Sequence, residues 1–208
     1  MRASEFAAYA YDKKNCILSE SECLDLLLAF TLDDVKLNDT PFNYEPRGFV
    51  SSIDVAIYNS VQSGRQMNGK HSIGFSIKSN ARNWLTGFGI YGANSQAENV
   101  EITISVEKDD KLISKEVKNI KNLYIPNNTR EHRVDMTRPV AILSGSRYIL
   151  NVEFNGYYHN CYYGCNGKMS TKFLDPKTNE QAEINFFNVL NSNSNNQYGN
   201  IAKLYLGI

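Results

Sequence analysis

Two hydrophobic periodicities divide the chain. Over residues 1–32 apolar positions recur at helical spacing. Ser4 can cap a first, Ala-rich helix over EFAAYAY. In LSESECLDLLLAF, Ser19 and Glu22 form a capping box, whose hydroxyl and carboxylate satisfy orphan amides reciprocally. Leu18 and Cys23 stand in the positions of a hydrophobic staple, and Leu24, Leu27, Leu28 and Phe30 make the apolar stripe that follows. Such a pair is too small to fold alone. TLDDVKLNDTPFNYEPRG, with turn residues and two prolines, reads as a linker over 33–47.

From residue 48 to 208 the period is 2. VEITISV sets Val100, Ile102, Ile104 and Val106 against Glu101, Thr103 and Ser105; KDDK turns and LISKEV returns, which predicts a hairpin. HSIGFSI places Ile73, Phe75 and Ile77 on one face, and RYILNVEFNG does the same with Tyr148, Leu150, Val152 and Phe154 after the turn LSGS. QAEINFFNVL and IAKLYLGI are the last strand candidates, with the Asn/Ser tract NSNSNNQYGN between them as an exposed loop. Short strands separated by turns, without a helix of useful length among them, predict a mainly β fold: an antiparallel β-sandwich behind a short α-helical segment.

Gly87–Gly92, GFGIYG, fits G-x-G-x-x-G letter for letter. A dinucleotide fingerprint needs a helix N-terminus after its glycines to hold the pyrophosphate. Here ANSQAENVEITISV follows, a turn and another strand, so nothing can hold a phosphate. Glycines inside a strand mark a bulge or a close backbone approach instead. On strict alternation Gly87 and Gly89 share a face with Leu85 and Tyr91, while Trp84, Phe88 and Ile90 project into the core.

Charge and cysteine usage narrow the classes. Lys plus Arg is 22 and Asp plus Glu is 22, a balance without the footprint of a nucleic-acid or anionic-membrane binder. The N-terminus lacks the apolar region of a signal peptide and no apolar run spans a bilayer, so the expected setting is cytoplasmic, with reduced thiols. His159, Cys161 and Cys165 cluster in YYHNCYYGCNG, but a fourth zinc ligand has no source, because Cys16 and Cys23 lie in the helical segment. The sequence therefore leads us to expect no metal, no cofactor and no catalytic residue: LSGSRY is not a nucleophile elbow, and His71 and His132 read as exposed histidines at strand edges. Tyr157, Tyr158, Tyr162 and Tyr163, read as part of an aromatic loop, are the candidate partner-binding residues, since tyrosine offers stiff contact area with a polar tip.

HSIGFSIKSNARNWLTGFGIYGANSQAENVEITISV resembles the opening of the PHR domain, where a strand of type I-x-F-x-V leads through a polar turn into G-[FL]-G-[LI]-Y-G. VDMTRPVAILSGSRYILNVEFNG and the closing INFFNVLNSNSNNQYGNIAKLYLGI are similar to later parts of that domain in the same order. SEFAAYAYDKKNCILSESECLDLLLAFT resembles the end of the BACK region that precedes PHR in BTB/POZ adaptor proteins. Highwire-type ubiquitin ligases also carry PHR domains. The resemblance implies a non-enzymatic module that captures a protein client for a cullin-RING ubiquitin ligase. Ligase components would be partners only where a BTB/BACK region lies upstream, since that region does the scaffold binding. The competing reading is a lectin-like or small-ligand sandwich, in which Trp84 or the tyrosines stack on a sugar.

Overall fold

The computed structural model describes residues 52–80, 83–93, 99–121, 123, 131–155, 160–175, 179–195 and 197–207. All lie in the second of the chain's two units, Pro46–Ile208. The helices expected over 1–32 and the linker over 33–47 fall outside the described residues.

Thirteen strands make up the described chain: β1 (Ser52–Ala56), β2 (Tyr58–Gln66), β3 (Gly69–Lys78), β4 (Asn83–Tyr91), β5 (Val100–Lys108), β6 (Lys111–Ile120) and β7 (Glu131–Ile142), followed by β8 (Arg147–Phe154), β9 (Asn160–Gly167), β10 (Ser170–Leu174), β11 (Gln181–Phe187), β12 (Tyr198–Gly199) and β13 (Ile201–Gly207). Every pairing is antiparallel, and no helix occurs among the described residues. They form a four-stranded sheet ordered β1-β13-β4-β7, a six-stranded sheet ordered β10-β11-β3-β8-β5-β6 and a three-stranded sheet ordered β12-β9-β2. One apolar cluster draws Leu85, Phe88, Ile90 and Leu204 from the first sheet and Phe75, Ile104, Leu150 and Ile184 from the second, which gives a sandwich-like layering.

The alternating runs behave as their period requires. Ile73, Phe75 and Ile77 are buried in β3, Ile102 and Ile104 in β5, and Tyr148, Leu150 and Val152 in β8. Phe75 and Tyr148 stack at 5.6 Å between ring centroids. The Tyr148 hydroxyl accepts from Leu143 N at 2.8 Å, so its burial strands no polar atom. The KDDK turn closes β5 onto β6 with Asp109 and Asp110 at φ 47° and 65°, the left-handed pair of a tight hairpin. At the lateral edge β6 turns charges inward. Glu116 accepts from Thr137 N at 3.0 Å and the Lys118 ammonium donates to the Asp135 carbonyl, so side chains meet main-chain groups of edge strand β7 that have no neighbouring strand.

Three expectations need correction. Trp84 is half-buried and outside the core cluster, while Leu85 is fully buried. Thr86 is skipped in both ladders of β4, and this extra residue reverses the phase of everything before it. The segment read as an aromatic loop is in part strand β9, with β10 close behind it. The Asn/Ser tract is not simply exposed either, because Ser194, Gly199 and Asn200 are buried and β12 lies within it. Ser192 explains part of this: its Oγ accepts from Ser72 N at 2.8 Å, beyond the point where β11 leaves β3.

Candidate docking surface

The three-stranded sheet holds the described part of the tyrosine cluster. Tyr157, Tyr158 and His159 lie outside the described residues. Tyr162 and Tyr163 are consecutive in β9 and diverge as a strand requires. Tyr162 packs against the apolar core. Tyr163 faces Gln62 across the ladder, and its hydroxyl bonds Gln62 Oε1 at 2.8 Å.

A residue that the sequence reading passed over completes this surface. Arg65 lies 4.0 Å from the ring centroid of Tyr198 and 5.9 Å from that of Tyr163, and its Nη2 donates to the Asn193 carbonyl at 2.8 Å. A bulge aims it there. Ser63 pairs with Tyr162 and Arg65 with Cys161, leaving Gly64 without a partner in the ladder. Without that extra residue Arg65 would share the face of Tyr162; with it, Arg65 moves to the face of Tyr163. Gly64 has φ 101°, a conformation that glycine alone adopts cheaply. Tyr198 is 37% exposed and held from behind, its N–H donating to Asn195 Oδ1 at 3.0 Å. The stacked, hydrogen-bonded guanidinium is thus fixed before any partner arrives.

The remaining candidates for chemistry resolve into structural roles. Cys161 and Cys165 are buried and not in a disulfide. Four residues apart in one strand, their Cα atoms are separated by about 13 Å, beyond the roughly 7 Å a disulfide spans. The same separation prevents the two sulfurs from sharing one zinc ion. His71, expected at an exposed edge, is fully buried. Its Nε2–H donates to Asn68 O at 3.0 Å, so Nδ1 accepts from the Ser194 hydroxyl, also at 3.0 Å. Burial pushes its pKa down to about 4, opposed by the Asn68 carbonyl and aided by the Arg65 charge. A hydroxyl on a neutral imidazole suggests a nucleophile and base, but Ser194 is 2% exposed and offers no face to a substrate. His132, likewise expected to be exposed, is partly buried, and desolvation lowers its pKa.

The glycines of GFGIYG make room for charge on the outer face of the four-stranded sheet. A Cβ on Gly89 would lie 2.5 Å from Glu131 Oε1, and one on Gly87 would lie 2.5 Å from the Val134 carbonyl oxygen. Glu131 lies across Gly89, accepting from the Tyr205 hydroxyl at 2.6 Å and pairing with Lys203 at 3.1 Å. Burial, then the bond to Glu131, raises the Tyr205 pKa. The anion over these glycines is the protein's own carboxylate, which leaves no phosphate cradle.

Two signals could have drawn attention to Arg65: the glycine one position before it in a polar strand, and its remoteness from any acidic residue. The partnership with Tyr198 is invisible locally, because the hydrogen bond that locks Arg65 comes from 128 residues away. Among known proteins, the family model of the PHR domain matches residues 57–204, from the end of β1 to the middle of β13. No curated protein matches the chain. The match spans most of the sequence and contains β2 to β12 whole: the chain belongs to the PHR domain family.

Proposed function

We propose that this protein is a non-enzymatic protein-interaction module that captures a client on the three-stranded sheet. The observation that carries the reading is the Tyr163–Arg65–Tyr198 surface, a guanidinium held against two aromatic rings on a domain of a family that serves in general as an interaction module. Tyrosine buries large area with little loss of rotamer freedom, and an arginine already held by stacking and a hydrogen bond has little freedom left to lose. Tyr157 and Tyr158, which precede β9 in the sequence, belong to the same proposal as candidate partner-binding residues.

In the finer form of this reading the module is the substrate-recognition part of a BTB-BACK-PHR adaptor, delivering its client to a cullin-RING ubiquitin ligase in the cytoplasm. The similarity of residues 4–32 to the end of a BACK region supports it. Crosslinked capture from lysate tests both levels. Full-length protein should enrich a defined client set together with ubiquitin-pathway proteins, and the double variant Tyr157→Ala, Tyr158→Ala and the single variant Tyr163→Ala should lose the clients while keeping the fold. Identical client sets for wild type and variants would end the docking assignment, and a glycan-array signal that depends on these tyrosines would favour the lectin-like alternative.

A further inference from the structure

The charge balance of the whole chain conceals a segregation. No Asp or Glu occurs in residues 55–97, 154–174 or 184–208. These tracts contain β2, β9 and β12, so the three-stranded sheet is built without a single carboxylate. Arg65 is its one charged residue; Lys168 follows β9, and Lys70 receives the Asn193 N–H on its carbonyl. Among the described residues no carboxylate pairs with Arg65, in contrast to Arg133 beside Asp135 and Lys203 beside Glu131. Exposed amides flank it: Gln62, paired with Tyr163 on the same face, and Asn193, whose carbonyl holds the guanidinium, are both solvent-facing.

From this arrangement we infer that the surface binds an extended peptide carrying an aspartate or glutamate, whose carboxylate pairs with Arg65 between Tyr163 and Tyr198. The inference rests on the protein-interaction reading and names the chemistry of the client. Arg65 uses Nη2 on Asn193, which leaves Nε and Nη1 to grip a carboxylate. The flanking rings shield that pair from water and so strengthen it. The amide rim supplies donors and acceptors for a peptide backbone, which a bare anion would not use. A single guanidinium matches the single charge of a carboxylate, whereas phosphorylated segments call for clustered arginines.

The test is selection of random peptides displayed against the full chain, followed by resynthesis of the best binder. The expected result is an enriched acidic position, at which Asp→Asn or Glu→Gln weakens binding at least tenfold. With Arg65→Gln protein the same peptide change should have no effect, and the variant should keep a cooperative thermal transition, its midpoint lower by a few degrees at most for the lost stacking and hydrogen bond. Peptides that bind without acidic preference, or equally well to Arg65→Gln, would overturn this inference and leave the interaction reading standing. Selection of no peptide at all would overturn both. Phosphoserine binding more tightly than glutamate at the key position would overturn the carboxylate assignment. Concentration-dependent self-association that vanishes in Arg65→Gln would name a second copy as the occupant, against the inference.

Discussion

The Ser194 hydroxyl donates to His71 Nδ1 at 3.0 Å, tying a buried imidazole in β3 to a loop 123 residues later. The bond needs the neutral ring, because Nδ1 of a protonated imidazole has no lone pair to offer. Ser194 Oγ also accepts from Asn200 N at 3.3 Å, so the pair anchors the approach to β13.

Stability should therefore fall as the solution is acidified. The folded His71 pKa is about 4, below the usual 6.5, so between these values the unfolded chain binds more protons. Its contribution is fully present above pH 6.5 and is lost as pH falls towards 4. The shift corresponds to about 3 kcal/mol at most. His132 acts with the same sign, and its partial exposure makes its share smaller. Denaturant midpoints measured from pH 7.5 to 4 should decline over this window, and more shallowly in His71→Gln. A wild-type profile that is flat between pH 6.5 and 4 would contradict the assignment.

The two strand glycines should respond differently to alanine. At Gly87 the new Cβ meets main chain, the Val134 carbonyl, which cannot step aside. Gly87→Ala should cost about 2 kcal/mol or more. At Gly89 the obstacle is the Glu131 side chain, which can swing away after releasing Tyr205 and Lys203. Gly89→Ala should cost less, and most of its cost should disappear in a Glu131→Ala background. Chemical denaturation of the four proteins measures this coupling.

Neighbouring tyrosines in β9 should separate stability from binding. Tyr162 packs against the core, so Tyr162→Ala should lower stability by about 2–4 kcal/mol. Tyr163 stands over Gln62 and near Arg65, and Tyr163→Ala should change stability by less than about 1 kcal/mol while weakening client capture. Thermal unfolding and pull-down of the same preparations give both readouts.

Cys161 and Cys165 should resist alkylation in the native protein and react fully in denaturant, as followed by peptide mass mapping. The thermal midpoint should be the same with and without reductant. A mass lower by one bridge between these two cysteines would contradict the strand assignment of β9.

What the sequence determined on its own is everything that depends on near neighbours. Alternation chose strands, because a pleated ribbon presents every second side chain to one face, and the runs around Ile73, Ile102 and Leu150 went inward as their period demands. The residues after GFGIYG alternate as a strand does, so its glycines lack the helix N-terminus that a dinucleotide site needs. The tertiary structure decided matters of phase and distance. A bulge at Thr86 sent Leu85 inward in place of Trp84, and another at Gly64 brought Arg65 over to Tyr163. Whether His71 is exposed depended on a serine from the far end of the chain. One inserted residue reverses the facing of a strand, and the choice between inserting it or not is made by the sheet it must join, which no local pattern encodes.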